Sequence, residues 1–581
     1  MLLLLACTAP SPDSSTPPDT ALVVDTADSA SDTDTADTTE TDTTDTDPDT
    51  DTGETAVDTD TGETAVDTDD TDDTAPDDTW RSALYPEDWT PAFTDGDGHF
   101  LHDFSYAGYR AGEVALPTTA PGASFDVTLY GADATGASDS TSAIQAAITA
   151  ASAAAPAVVD LPAGTYRVDG VLTVATSGVV LRGAGSASTF VYFTKTTGVD
   201  YAAHLTFGGN VTQGADHLLT VDGAARAHEV QLADVSGIAV GDNVAIGWTI
   251  SDAFVDEHGM TDTWVTFNGD WKTFFRRTVT AVDPGTNTVT VDVPLRYPAL
   301  VRDGASLRVE SGYLSECGLE GLAVSNAADW DAAWASTQVH VAIFSEVQDC
   351  WVRDVVSFAS PYPTDARGKH LMSSGIEVLD SRRVTITDSV MEEAEHRGTG
   401  GNGYLFEISR SNEVLTVDTI ARGGRHNFIQ NWDFGTSGCV WLRTTSEAGR
   451  SLLADWDPVG YESYSEFHHS LAMANLIDQS EATDGWQGVN RQGESSGAGH
   501  SATQNVWWGL GGGGYLRSLQ VGEGYVIGTD GMDVHVDPAE WDWNSSGEGT
   551  APEDWTEGLD EAATLEPASL YEDQLARRLG E

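Results

Sequence analysis

Basic residues are scarce in this 581-residue chain: 27 Lys and Arg stand against 93 Asp and Glu, a formal net charge of −66. No base precedes Arg81, whereas 24 acids precede Trp80, leaving 69 acids against 27 bases in the remainder. So acidic a body repels phosphate backbones, which argues against a nucleic-acid partner. Cysteine is equally sparse. Cys7, Cys317, Cys350 and Cys439 form no CxxC and no Cys/His cluster at zinc spacing, so no structural zinc module is encoded. No run after the N-terminus is apolar for long enough to span a bilayer. What is plentiful is aromatic: 17 Trp and 16 Tyr, suited to stacking on sugar rings and equally to filling a core. The length suggests two or three units.

The chain opens Met1-Leu-Leu-Leu-Leu-Ala-Cys7. Leu4-Leu5-Ala6-Cys7 resembles the lipobox of bacterial lipoprotein signal peptides, although the apolar stretch is short and lacks a basic lead. The resemblance implies a lipid on Cys7 and a location on the bacterial outer membrane or cell surface. At most one disulfide is then left for the other three cysteines. Residues 8–79 are almost wholly Thr, Asp, Ser, Ala and Pro, and Asp51–Thr59 is repeated at Asp60–Thr68. Such a segment cannot bury enough apolar surface to offset its ordering entropy, so it is expected to be a disordered tether. Calcium is the one ion its aspartates suggest, but the EF-hand spacing is absent.

A lead-in of residues 80–124 follows, with aromatics (Phe104, Tyr106, Tyr109) expected to pack onto the body. From Phe125 the texture changes. A strand (Phe125–Asp133) precedes an amphipathic stretch with Ala143, Ile144, Ala147 and Ile148 on one face and Ser/Thr at its start. Two short β runs ended by Gly, Val158–Tyr166 and Val179–Gly185, come next. This order resembles the N-terminal signature of the pectate-lyase superfamily. It implies an all-β, right-handed parallel β-helix whose open end is capped by the helix. That scaffold serves lyases, hydrolases, epimerases and phage tailspikes alike.

Residues 205–310 break the texture with alternating runs and turns typical of hairpins, so a small antiparallel subdomain is expected between the early coils (125–204) and the main ones (311–530). Within it Trp264, Trp271, Phe274 and Phe275 either wall a substrate groove or pack the insert onto the coil. Residues 531–581 read as an extension. In the main coils, Ile376–Val390 aligns without a gap on Phe406–Ile420, 30 residues later. Glu377 then meets Glu407, Asp388 meets Asp418 and, carried on, His396 meets His426. Stacked coils follow from such a period.

Despite the acidic body, bases and imidazoles gather between 365 and 500. His396, Arg397, Arg425, His426, Asp433 and His469 are the catalytic candidates, and Lys369, His370, Trp432 and Arg491 the substrate-binding ones. For β-elimination on a uronate, His396 or His426 would move the proton and Arg397 and Arg425 would hold the carboxylate. For hydrolysis two carboxylates are needed, from Asp433, Glu395, Glu466, Glu377 and Glu407. The same glutamates are equally suited to ladders along the coil. The expectation is a monomeric, surface-anchored protein acting on a polysaccharide, with a lyase ahead of a glycoside hydrolase, and a non-catalytic glycan-binding or structural role as the rival.

Overall fold

The computed structural model describes residues 79–118, 122–361, 367–457, 459–540 and 549–580. Cys7 and the acidic segment up to residue 78 lie outside the described residues.

The body is a parallel β-helix, with the right-handed crossover that parallel strands of one sheet adopt. One coil shows its construction. Ser374–Leu379 belongs to a ten-stranded sheet, and Arg382–Thr387 and Val390–Glu392 belong to a longer second sheet. The sharp corners come from paired residues. Asp380, Asp388, Arg410 and Asp418 each adopt positive φ, and the Ser or Thr after each is fully buried. Those hydroxyls donate back to the carbonyl two residues earlier: Ser381 to Leu379 at 2.6 Å, Ser389 to Thr387 at 2.8 Å, Ser411 to Ser409 at 2.8 Å and Thr419 to Val417 at 2.9 Å. The αL residues ion-pair from coil to coil, Asp349 with Arg383, Asp380 with Arg410 and Asp418 with Arg443, at 2.7–2.8 Å. Inside, like stacks on like. Ile376, Phe406 and Phe428 are in register, and the two phenyl rings lie 5.4 Å apart and nearly parallel.

The helix Thr141–Ala153 buries Ala143, Ile144, Ala147, Ile148 and Ala151 against this core. Its N-cap Ser140 makes no side-chain cap bond. The Ser140 hydroxyl instead accepts from the Asp133 amide at 2.9 Å, and Asp139 receives the Thr141 amide at 2.9 Å.

The lead-in and the C-terminal helix Leu570–Leu579 share one apolar cluster. Leu84, Tyr85, Phe104 and Leu570 cover the outward Leu415, Val417, Leu442, Val506 and Ile527 of the longer sheet. Parallel pairing continues past residue 530, since Trp555–Glu557 adds to Tyr525–Asp530.

The insert is a seven-stranded antiparallel sheet running from Thr212 to Ser311. Its aromatics pack. Trp248 stacks on Phe274 at 3.6 Å, and Trp264, Phe267 and Phe274 share a core with Phe434, Leu471 and Met473 of the coils. Charges complete the docking: Glu413 sits between Arg296 (2.9 Å) and Arg277 (3.4 Å), all three buried. Cys317, Cys350 and Cys439 are free and buried.

Candidate active site

The ten-stranded sheet carries on its outward face a row of side chains that is polar except for one isoleucine. Glu377, Glu407, Ile429, Glu466, Gln487 and Arg517 are register partners on six successive strands. In Ser374–Leu379 and Tyr404–Ser409 the flanking residues Ile376, Val378, Phe406 and Ile408 belong to the core, so alternation turns the glutamates outward.

Glu377 and Glu407 lie one strand step apart, about 4.8 Å, and the His340 imidazole faces both. Its Nε2 is 2.8 Å from Glu407 Oε2 and its Nδ1 is 3.8 Å from Glu377 Oε2. Glu407 also accepts from Asn431 Nδ2 at 2.8 Å and from Ser409 Oγ at 3.2 Å. Among the described residues Glu377 has no comparable set of donors. Burial first, and then the Glu407 charge, push its carboxyl up to about 7. Burial works to lower His340, but the Glu377 and Glu407 carboxylates outweigh it and raise that imidazole. These groups open into a cleft of about 160 Å³, bordered by Tyr201, Gln338, Arg410 and Trp432. A larger hollow of about 560 Å³ lies on the insert between Val221–Gly223 and Thr288–Thr290, away from this chemistry.

Two strands further along, His426, Glu466 and His468 form a second, buried cluster. His426 Nδ1 donates to the Tyr464 carbonyl at 2.7 Å, and its Nε2 is 3.2 Å from Glu466 Oε1. His468 Nδ1 contacts the same carboxylate, and Gln487 Nε2 donates to it. Arg491 places Nη1 2.8 Å from the His468 ring nitrogens and 3.1 Å from its carbonyl. Tyr404 lies beside both rings, at 5.4 Å from His426 and 6.0 Å from His468. Burial first, then Arg425 and Arg491, bring His426 down to about 4. Burial and Arg491 hold His468 well below its ordinary value. Burial alone would raise Glu466, but the two imidazoles and Arg491 keep it well below the carboxylate range.

The structure brings only some of the sequence candidates together. His426 and Arg491 meet in the second cluster. His396 does not lie over His426: Tyr404 does, 22 residues before it. The 30-residue shift holds from Ile376–Val390 to Phe406–Ile420 and then fails, because residues 393–403 form a loop that only residues 423–425 match in the next coil. His396 is in that loop, packed on Trp334 at 4.4 Å and brought down to about 4 by burial. Arg397 follows it there, and Arg425 donates to Gly398 at 3.3 Å. Asp433 is held by Lys272 of the insert at 2.6 Å and receives the Phe434 amide at 2.8 Å. His469 is bonded to the Ser495 carbonyl at 2.7 Å and lies against Trp432 at 4.4 Å. Lys369 pairs with Glu393, and His370 Nδ1 is 3.0 Å from Ser357 Oγ. Sequence reasoning missed His340, Tyr404, Gln487 and Arg517. Loops of unequal length between strands of this sheet hide their common row. The available signal was weak: each sits in a short strand whose alternate residues are apolar.

The fold is a parallel β-helix with a polar cleft on one sheet. More particularly, residues 124–254 match the family model described as rhamnogalacturonase A/epimerase, pectate lyase-like. A curated relative, mannuronan C5-epimerase AlgE3 of Azotobacter vinelandii, is 50% identical over 74 residues, which is 12% of this chain and 4% of that protein. Among solved structures, the A-module of Azotobacter vinelandii mannuronan C-5 epimerase AlgE6 is 14% identical over 75% of this chain and 98% of that one, with a TM-score of 0.30. The Gp54 tailspike of Acinetobacter baumannii bacteriophage AP22, in complex with A. baumannii capsular saccharide, is 10% identical over 81% and 73%, with a TM-score of 0.34.

Proposed function

We propose that the protein is a polysaccharide-active enzyme that takes a glycan across the outer face of the ten-stranded sheet, with Glu377 as general acid and Glu407 as the working carboxylate. The observation that carries this reading is the division between two neighbouring glutamates. Glu377 is pushed up to about 7, while Glu407 accepts hydrogen bonds from His340, Asn431 and Ser409. Glycoside hydrolysis asks for that split: one carboxyl keeps its proton for the leaving oxygen, and the other faces the anomeric carbon as an anion. Trp432, 39% exposed at the rim, offers a ring face to a sugar. The family match over residues 124–254 supports a polysaccharide as the substrate class.

A second reading, elimination or epimerisation at a uronate, draws on Tyr404 beside His426 and His468, with Arg491 against His468. Proton abstraction beside a carboxylate needs a base, an acid and a cation of this kind. A screen on neutral and uronate-containing polysaccharides separates the readings. New reducing ends without an unsaturated product support hydrolysis. The ultraviolet absorbance of an unsaturated uronate supports elimination, and a changed C5 configuration in uncut polymer supports epimerisation. Binding with no product overturns the enzyme reading. The same proposal places the enzyme outside the cell, lipid-anchored at Cys7 and spaced by the acidic segment. Labelled palmitate incorporated by the wild type and lost in Cys7→Ser is the expected result, and no incorporation overturns it.

A further inference from the structure

The cluster of His426, Glu466 and His468 is buried, and one ligand atom from each lies within 4.8 Å of the others. Three features go beyond proximity. The Tyr464 carbonyl can only accept, so His426 Nδ1 carries a proton and the Nε2 lone pair of the neutral ring faces Glu466. That Nε2 is buried, aimed at Glu466 Oε1 from 3.2 Å, and makes no hydrogen bond. Two acceptors pointed at each other leave a place for a positive charge between them. The separation also has the right size: an N and an O each about 2.0–2.1 Å from a tetrahedral ion stand roughly 3.3 Å apart. Finally, the partners around the cluster are those that orient ligands. A carbonyl fixes the His426 tautomer and Gln487 Nε2 holds the carboxylate.

We propose that His426, Glu466 and His468 bind one divalent transition-metal ion of the zinc type, through two imidazoles and one carboxylate, with a fourth position open. Arg491 Nη1 stands 2.8 Å from the His468 ring nitrogens and would have to turn aside for His468 to bind the ion, its charge then favouring an anionic or water ligand at the open position. The site is separate from the Glu377–Glu407 pair and does not depend on that reading, because its test involves no glycan.

The full chain, stripped with chelator and dialysed into moderate salt to suppress loose binding by surface acids, is titrated with Zn²⁺ by calorimetry and with Co²⁺ by visible absorption. The expected result is one tight equivalent per chain, the d–d bands of four-coordinate Co²⁺, and a melting temperature raised by Zn²⁺. His426→Gln and His468→Gln should each weaken binding at least about tenfold and remove the bands. If the natively folded wild type takes up no stoichiometric ion and its melting temperature ignores Zn²⁺, the proposal is overturned and the cluster is an imidazole–carboxylate–guanidinium network. Undiminished binding in a folded His426→Gln, His468→Gln double variant also overturns it, by placing the ion elsewhere.

Discussion

The same coils present two faces that treat charge in opposite ways. On the longer sheet, Glu392, Arg422 and Glu447 are register partners on three successive coils. Arg422 bonds both glutamates, and all three side chains are 25–40% exposed. Opposite charges alternate, water screens them, and the ladder sits at low cost. On the ten-stranded sheet the neighbours are Glu377 and Glu407, like in sign and both nearly buried. Like charges directly opposite each other destabilise a sheet, and here burial and the Glu407 charge raise the Glu377 carboxyl while the His340 imidazole faces both groups. The first face needs no explanation beyond structure. The second keeps two buried acids together with a histidine facing both, and this contrast is the reason the proposed function is assigned to that face.

The contrast can be broken most directly at the pair itself. Glu377→Gln and Glu407→Gln should each lower kcat on the responsive glycan by about 10²–10⁴-fold, whereas Glu392→Gln leaves it unchanged. Equal losses on the two faces would erase the distinction. Next in size is a buried charge that is properly paired. Glu413→Gln strands Arg277 and Arg296 without a counter-ion and should cost about 3–5 kcal/mol in denaturant unfolding. A value near zero would mean that the insert does not lean on this triad.

Acidity sharpens the comparison further. Glu377 goes from 4.5 to about 7, Asp478 from 3.8 to about 7 and Asp484 from 3.8 to about 6. Burial is the first cause in each. A raised folded-state value means that the folded chain holds protons more tightly. Its stabilisation is complete below about pH 4 and is lost as pH rises through 6 to 7. Each of these carboxyls should lose its stabilisation across that window, Glu377 about 3 kcal/mol of it. The buried histidines brought down to about 4, His204, His396, His426 and His469, work in the opposite sense and outnumber them, so overall stability should rise from about pH 4 to about pH 6.5. Glu377→Gln should steepen that rise, and turnover of the wild type should drop above about pH 7. The smallest effect belongs to the exposed ladder: Arg422→Ala should change stability by less than about 1 kcal/mol and lose even that in high salt.

Much of this was legible in residue order. Ile144, Ala147 and Ile148 announced the cap, while the antiparallel sheet begins only at Thr212, because Ala203–Gly208, partly inside the expected 205–310 insert, is a parallel coil strand. The gapless match of 376–390 to 406–420 placed Glu377 on Glu407. It failed at His396 because strand register is carried by hydrogen bonds between coils, while loop length is free to vary on the surface. His340 stands 34 residues before its neighbour Ser374, and His426 stands 22 after Tyr404. No single period spans both steps, so the row of the site was invisible to a repeat. Aromatic content suggested sugar stacking, yet Trp248, Trp264, Trp351, Trp441, Trp486, Trp507 and Trp508 are buried, because the coil and the insert both need large apolar fillers.

The sequence alone determined the coil. Short alternating runs, αL corners followed by Ser or Thr, and the capping helix are all local, and local propensities and periodicity specify them. Tertiary structure decided the chemistry. It alone turned His340 toward two glutamates from different coils, set Tyr404 over His426 and bound Asp433 to the insert. A carboxyl near 7 beside a hydrogen-bonded carboxylate depends on burial and on neighbours distant in the chain, and neither is written at the position itself.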